Sequence, residues 1–134
     1  MKIKHINPKT LFDSNSYAFT QVVVTKGKRM IHCSGQTACD KKMNFVGVGD
    51  LAAQAECALA NLGLALAAAG AGPEHVARIR MYVVQYKPDY LPIIGAAIGK
   101  FFAPHPPPAN TLIGVQSLAL PEFMIEIEAT AVID

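Results

Sequence analysis

Apolar and polar positions along the chain follow two periods, one typical of α-helices and one typical of β-strands. Apolar side chains recur at helical spacing through residues 51–69, with Asp50 before them as an N-cap and Gly70 after them as a terminator. A second apolar stripe begins after Asp89, which is a candidate N-cap, and stops at the proline-rich stretch 104–108. The sequence therefore predicts two helices.

Alternating segments rich in Val, Ile, Thr and aromatic residues predict the strands. They include residues 17–25, 29–34, 76–84, 112–115 and 124–132. Lys26-Gly27-Lys28 separates the first two, and its glycine suits a tight turn, so these strands are predicted to pair as a hairpin. Residues 1–15 and 37–49 are predicted to be loops.

The resulting order, β-β-α-β-α-β-β, favours the α+β class, with one antiparallel or mixed sheet that has both helices on one face. Residues 1–134 contain no linker, repeat or low-complexity segment, and we expect one domain. The other face of the sheet would then be bare, with side chains too apolar to face water. Three copies that pack these faces inward would cover it.

Composition supports burial between subunits. Apolar residues make up 51% of the chain and charged residues only 16%, against about a quarter in an average protein. A chain of this length can bury a core without disulfides or metal. We therefore expect other copies to cover part of the apolar surface.

Several classes of function are disfavoured. The net charge is +2 without a basic stripe, so no nucleic-acid surface is predicted. The chain shows no signal-peptide pattern and no apolar run long enough to span a membrane.

Three cysteines, an odd number, are typical of free thiols in a reducing cytoplasm. The four histidines lack metal-ligand spacing, so we expect no metal and no cofactor.

An ordered set of short motifs runs through the chain. It comprises Cys33-Ser34-Gly35-Gln36, Gln54, Asn61-Leu62, Ala68-Ala69-Gly70, Pro108-Ala109-Asn110-Thr111 and Ile125-Glu126-Ile127-Glu128-Ala129. Each motif is weak alone, but together, in this order, the set resembles the RidA (YjgF) family of small trimeric proteins. The resemblance implies a chorismate-mutase-like fold, a homotrimer and ligand sites in clefts between subunits. Some members of that family hydrolyse reactive enamines and imines.

One position departs from the family pattern. The deaminating members have an arginine after Pro-Ala, where this chain has Asn110. By the resemblance, that arginine holds the substrate carboxylate through a bidentate, charge-assisted pair. An asparagine has no charge, and the absence of the arginine charge costs about 1.5–3 kcal/mol of binding free energy. A 2-imino acid is therefore a disfavoured substrate. Alternatively, Asn110 only closes a turn after Ala109.

The strand over residues 124–132 places Glu126 and Glu128 on the face opposite its apolar side chains. By the resemblance, Glu126 corresponds to a glutamate that faces the pocket and orients a water, and we predict a catalytic role. The alternative is an outward carboxylate on an edge strand. Glu128 is expected to be a structural partner of Arg78 or Arg80.

Three further ligand-binding residues are implied by the resemblance. Tyr17 would pack its ring against the ligand and bond a polar atom through its hydroxyl, while the Ser34 hydroxyl or the Gly35 amide would contact the ligand carboxylate. The alternatives are a core or interface tyrosine and a serine that only ends its strand. Ser34 is not predicted to be a nucleophile, because Ser-Gly-Gln is not a nucleophile elbow.

Two functions fit this set. The first is a cofactor-independent hydrolase that acts on an imine, enamine or related C=N substrate other than the usual 2-imino acids. The second is a non-catalytic trimer that binds a small molecule or has a regulatory role. Ribonuclease activity, a label of some relatives, ranks last because the chain has no basic or histidine-rich region.

Overall fold

Ten short elements build the chain, and the computed structural model describes residues 2–134 of it. The strands are β1 (Lys2–Ile6), β2 (Val22–Lys26), β3 (Arg29–Gln36), β4 (Val76–Val84), β5 (Ala109–Val115) and β6 (Ile125–Ile133). The helices are α1 (Leu51–Ala68) and α2 (Tyr90–Phe102), and two short 3-10 helices cover Asn15–Tyr17 and Pro73–His75. The mixed α+β arrangement confirms the predicted fold class.

The main sheet has four strands in the order β3-β6-β4-β5. Strand β6 is antiparallel to both of its neighbours, whereas β4 and β5 are parallel. Strand β6 is central, so the alternative that places Glu126 on an edge strand is wrong, and β4 separates β6 from β5. Long-range pairing decides strand order, and local patterns do not encode it.

The two helices cover one face of this sheet, as predicted. In α1, Asp50 caps the first turn by accepting a hydrogen bond from the Ala53 amide at 3.1 Å, and Gly70 follows the helix with φ +76°. Asp89 precedes α2, but its side chain makes no capping hydrogen bond. The apolar stripe of α1 packs with that of α2 on the alternate apolar residues of β4 and β6. The largest of these buried side chains are Leu59, Leu62, Leu66, Ile79, Met81, Ile94, Ile98, Phe102, Ile125 and Ile127.

By length and composition α1 could cross a membrane, as core helices of soluble proteins also could. Its apolar stripe is instead packed into the core.

The N-terminal region differs from the prediction. Residues 2–6, expected to be loop, form β1, and β1 pairs with β2 in a separate two-stranded sheet. Strand β2 begins at Val22, whereas Tyr17 lies in a 3-10 helix, and β3 pairs with β6 instead of β2. The predicted hairpin is therefore wrong. The short, lysine-rich β1 has too little local pattern to be recognised, and its partner lies some twenty residues away, from Lys2 to Lys26.

The sheet face away from the helices is more polar than expected. Its centre has Arg78, Arg80 and Tyr82 on β4 opposite Thr130, Glu128 and Glu126 on β6. The expectation of an apolar bare face is therefore wrong at the centre of the sheet. On the outer strands of the same face, Met30 and Ile113 are exposed. Other large exposed apolar side chains lie outside this sheet, and they include Phe12, Val48 and Leu64.

A buried glutamine ties α1 to the segment that leads into β6. Gln54 is fully buried, its Nε2 donates to the Glu122 carbonyl at 2.7 Å, and its Oε1 accepts from the Met124 amide at 2.8 Å. Both bonds fix the entry of β6 and hence the position of Glu126.

We expect Gln54→Leu to lower the free energy of unfolding by roughly 2–5 kcal/mol, because it leaves two partly buried backbone groups without partners. Urea denaturation monitored by circular dichroism measures this loss. Gln116→Leu is the matched control, because Gln116 is exposed, and its effect should stay within about 0.5 kcal/mol. Equal effects of the two substitutions would contradict the assigned role of Gln54.

Candidate functional site

A cleft of about 710 Å³ lies between α2, the start of β5 and the segment that precedes β2. Tyr17 and Asn110, two of the predicted site residues, both line it. Its walls are mainly apolar, with Leu91 and Ile98 of α2 on one side. The volume falls in the range of pockets for small molecules, about 300–1,000 Å³.

Hydrogen bonds to the proline run bring the two predicted residues to the same cleft. The Thr20 hydroxyl donates to the Pro107 carbonyl at 2.5 Å, and the Thr20 amide donates to the Pro108 carbonyl at 3.0 Å. Thr20 is buried and follows Tyr17 closely, while Pro108 immediately precedes β5. The chain segment with Tyr17 is thus held against the start of the strand with Asn110.

Three aromatic rings form one wall of the cleft. Phe12 makes edge-to-face contacts with Tyr17 and Phe19, each with ring centroids 6.0 Å apart. Phe12 is 62% exposed and Tyr17 is 53% exposed, so Tyr17 is not a core residue of this chain. The Asp13 carboxylate supports the turn between these rings by accepting a hydrogen bond from the Asn15 amide at 3.0 Å.

Asn110 is the second residue of β5 and not a turn residue. Its neighbour in the register is Ile79, which is buried beneath the helices, so the Asn110 side chain lies on the helix side of the sheet. The Nδ2 atom lies 3.4 Å from the Met81 sulfur, and the Oδ1 atom is buried without a hydrogen-bond partner among residues 2–134. A buried amide oxygen without a donor is uncommon in folded proteins.

Gly35 and Glu126 form a second group on the other face of the sheet, and Ser34 precedes Gly35 in β3. A register shift between Cys33 and Gln36 bulges β3 where it passes β6. The backbone of Gly35 lies so close to Glu126 that a Cβ atom added there would be 2.1 Å from the Glu126 Oε1. Ser34 does not end its strand, because β3 continues to Gln36.

One chain does not bring the two groups together. Glu126 is opposite Tyr82, on the face away from the helices, whereas Asn110 is opposite the buried Ile79. Side chains of neighbouring strands in register point to the same face of a sheet. The predicted catalytic carboxylate and the predicted ligand-binding amide therefore lie on opposite faces of the sheet.

The sequence predicted Arg78 or Arg80 as the partner of Glu128, and it missed Tyr82, which bonds to Glu128 in a short polar network on the Glu126 face. The Tyr82 hydroxyl donates a hydrogen bond to Glu128, and Arg80 faces Glu128 in the register. The bond to Glu128 raises the pKa of Tyr82, because ionisation would remove the donor and place two negative charges together. The alternation of Arg80 and Tyr82 along β4 was the available signal, but it does not show which strand lies beside β4.

The three cysteines are free thiols. Burial raises the pKa of Cys33, and burial together with the nearby Cys39 and Asp40 raises the pKa of Cys57. The Asn61 side chain donates to the Thr37 and Cys39 carbonyls, both at 2.9 Å, which attaches the loop before α1 to that helix. Within residues 2–134, no three His, Cys, Asp or Glu side chains cluster as metal ligands.

Known proteins share both the sequence pattern and the fold. The model of the family described as Endoribonuclease L-PSP matches residues 14–133. The crystal structure of YyfB, a Rid family protein of unknown function from Yersinia pestis, superposes with a TM-score of 0.96 at 45% identity. That match covers 99% of this chain and 100% of YyfB.

Two sequence relatives are more distant. Protein DfrA of Myxococcus xanthus is 33% identical over 115 residues, which are 85% of this chain and 84% of DfrA. The RutC family protein slr0709 of Synechocystis is 28% identical over 116 residues, or 86% of this chain and 85% of that protein. These matches extend over most of the chain, and they show that it belongs to the RidA (YjgF) family.

Proposed function

We propose that the chain forms a homotrimer whose intersubunit clefts bind a small metabolite and hydrolyse a C=N bond without a cofactor. The substrate would be an imine, enamine or related compound other than the usual 2-imino acids. The observation that carries this substrate choice is Asn110, a neutral side chain in an apolar cleft where the family's deaminases place an arginine.

The placement of the two residue groups supports a site shared between copies. Tyr17 and Asn110 lie on one side of the sheet and Glu126 with Gly35 on the other, so only a neighbouring copy can add the second group to the cleft. Exposed apolar side chains, Phe12 at 62%, Met30 at 64% and Val48 at 62%, are available to pack between copies.

Glu126 would position the attacking water and accept its proton. The water oxygen bonds to the carbon of the C=N group, and the nitrogen takes up a proton, which gives a carbinolamine. Collapse of that adduct breaks the C–N bond, releases ammonia or an amine, and leaves a carbonyl compound. The Gly35 backbone lies beside the carboxylate, and its amide and the hydroxyl of the preceding Ser34 would hold a polar atom of the substrate.

Asn110 also favours a second function, a trimer that only binds or senses a metabolite. A family member that no longer catalyses the reaction but still binds a ligand would keep the cleft and lose the arginine. This chain has that combination. The two functions differ in whether the Glu126 carboxylate is needed for turnover. Nucleic acid and membranes remain unexpected partners, and a cytoplasmic location remains a prediction.

Sedimentation velocity tests the assembly. We expect a single species of about three times the chain mass of 14.3 kDa, because the exposed apolar side chains are otherwise left in water. A species at the monomer mass across the micromolar range would contradict the shared site.

Glu126→Gln tests the chemistry. Imines are generated in situ by an amino acid oxidase or amine oxidase from amino acids, amino acid amides and amines, and semicarbazone trapping reports their lifetime. We expect the wild-type protein to shorten the lifetime of at least one uncharged imine and Glu126→Gln to lower that rate by about 10²–10⁴-fold.

The ligand-induced shift in melting temperature should persist in Glu126→Gln. Wild-type protein that accelerates no imine in the panel would contradict hydrolysis. If a metabolite still stabilised it, the binding function would remain.

Gly35→Ala tests the position of the carboxylate without removing it. The added Cβ would meet the Glu126 Oε1 at 2.1 Å, so the flexible side chain must move aside. We expect hydrolysis to fall at least tenfold, roughly 1.4 kcal/mol in the barrier, with little change in melting temperature. Gly99→Ala is the matched control, because nothing lies within 4 Å of its added Cβ. Unchanged hydrolysis in Gly35→Ala would argue against the role of Glu126.

A further inference from the structure

The charge of the cleft disfavours an anionic ligand. No lysine or arginine lines it among the described residues, whereas the Asp13 carboxylate does. The part of the cleft that one chain supplies therefore offers a ligand carboxylate no compensating cation and one like charge, at an apolar surface where the carboxylate would lose its hydration.

The polar group on the inner wall of the cleft is the Asn110 amide. Its oxygen has no hydrogen-bond partner among the described residues, and its nitrogen contacts only the Met81 sulfur, a weak acceptor, at 3.4 Å. The oxygen is buried as folded, so a ligand reaches both amide atoms only after rotation about χ2, and this rotation breaks only the weak contact with Met81. The amide is thus an unused donor and acceptor pair on an otherwise apolar wall.

The remaining walls fit an apolar body. Phe12, Tyr17 and Phe19 present ring edges and faces on one side, and aliphatic side chains of α2 close the other. A volume of about 710 Å³ leaves room for an aromatic ring with a short chain. Aromatic rings pack well against edge-to-face clusters of this kind.

We propose that the cleft selects uncharged compounds with a carboxamide-like head, an N–H donor beside a C=O acceptor, on an aromatic or aliphatic body. The head pairs with the Asn110 side chain through two hydrogen bonds, one donated by each partner. This inference rests on the proposed function only in placing the metabolite in this cleft, and it holds for a substrate or for a sensed ligand.

A carboxamide fits better than other uncharged heads. An ester can only accept hydrogen bonds, so it leaves the Asn110 oxygen without a donor, and an alcohol can form one good bond with correct geometry. A buried polar group that a ligand leaves unpaired lowers affinity more than a missing apolar contact does.

Three probes with the same 2-phenylethyl body test the head group: 3-phenylpropionamide, 3-phenylpropionate and methyl 3-phenylpropionate. Calorimetry or ligand-observed NMR at pH 7 measures the three dissociation constants for the assembled protein. We expect the amide to bind at least about tenfold more tightly than either of the others. A carboxylate or ester that binds as tightly as the amide, or the failure of all three up to their solubility limits, would overturn the proposal.

Variants locate the preference at one side chain. Asn110→Arg should invert it, so that the carboxylate binds more tightly than the amide, and Asn110→Leu should make the amide and the ester equivalent. Thr111→Leu is the matched control on the same strand. Thr111 faces the opposite side of the sheet, where it bonds to Arg78, so the order of the probes should not change.

Phe12→Ala keeps the test informative if an Asn110 variant fails to fold. Phe12 is exposed, and its loss should weaken all three probes by a similar factor without changing their order. A change in their order would place the head group against the aromatic wall and contradict the pairing with Asn110.

The outcome is separable from that of the proposed function. Absence of imine hydrolysis would remove the enzyme while the amide preference could still hold. Equal binding of the carboxylate would remove this inference even if uncharged imines were hydrolysed.

Discussion

Strand alternation in the central sheet is the constraint on which the rest of this structure depends. Alternate residues of β4 and β6 are buried beneath two helices. One face of the sheet is therefore covered, and its side chains form the core of the chain. The same alternation places Asn110 on the helix side and Glu126 on the other side. No rearrangement within one chain can join them without shifting a strand by one residue, which would also expose its buried side chains.

The cleft depends on a second, weaker constraint. The segment with Tyr17 has only a short 3-10 helix of its own, and its position comes from two hydrogen bonds between Thr20 and the proline run. The prolines supply free carbonyls at a place where the chain cannot continue a helix. This connection forms one wall of a pocket from residues that lie far apart in the sequence.

The site differs from the arginine-containing sites of the family in its physical character. An arginine selects ligands by charge, whereas an asparagine selects them by the pattern of donors and acceptors. Such selection depends on exclusion of water, because an amide in water is fully solvated and discriminates little. The apolar walls around Asn110 are therefore as much part of recognition as the amide itself.

The amino-acid sequence by itself determined the two helices, their buried stripes and the segregation of Glu126 from its apolar neighbours, because each follows from a local period of 3.6 or 2 residues. The ordered motifs also indicated the family. Only the tertiary structure decided that β1 pairs with β2, that β6 is central, and that Tyr82 bonds to Glu128. These features depend on contacts between segments tens of residues apart, which leave little trace in a local pattern. Only the tertiary structure also decided that Tyr17 lies in the same cleft as Asn110 and that both are separated from Glu126. The sheet has two faces, and the sequence does not show which face each side chain occupies.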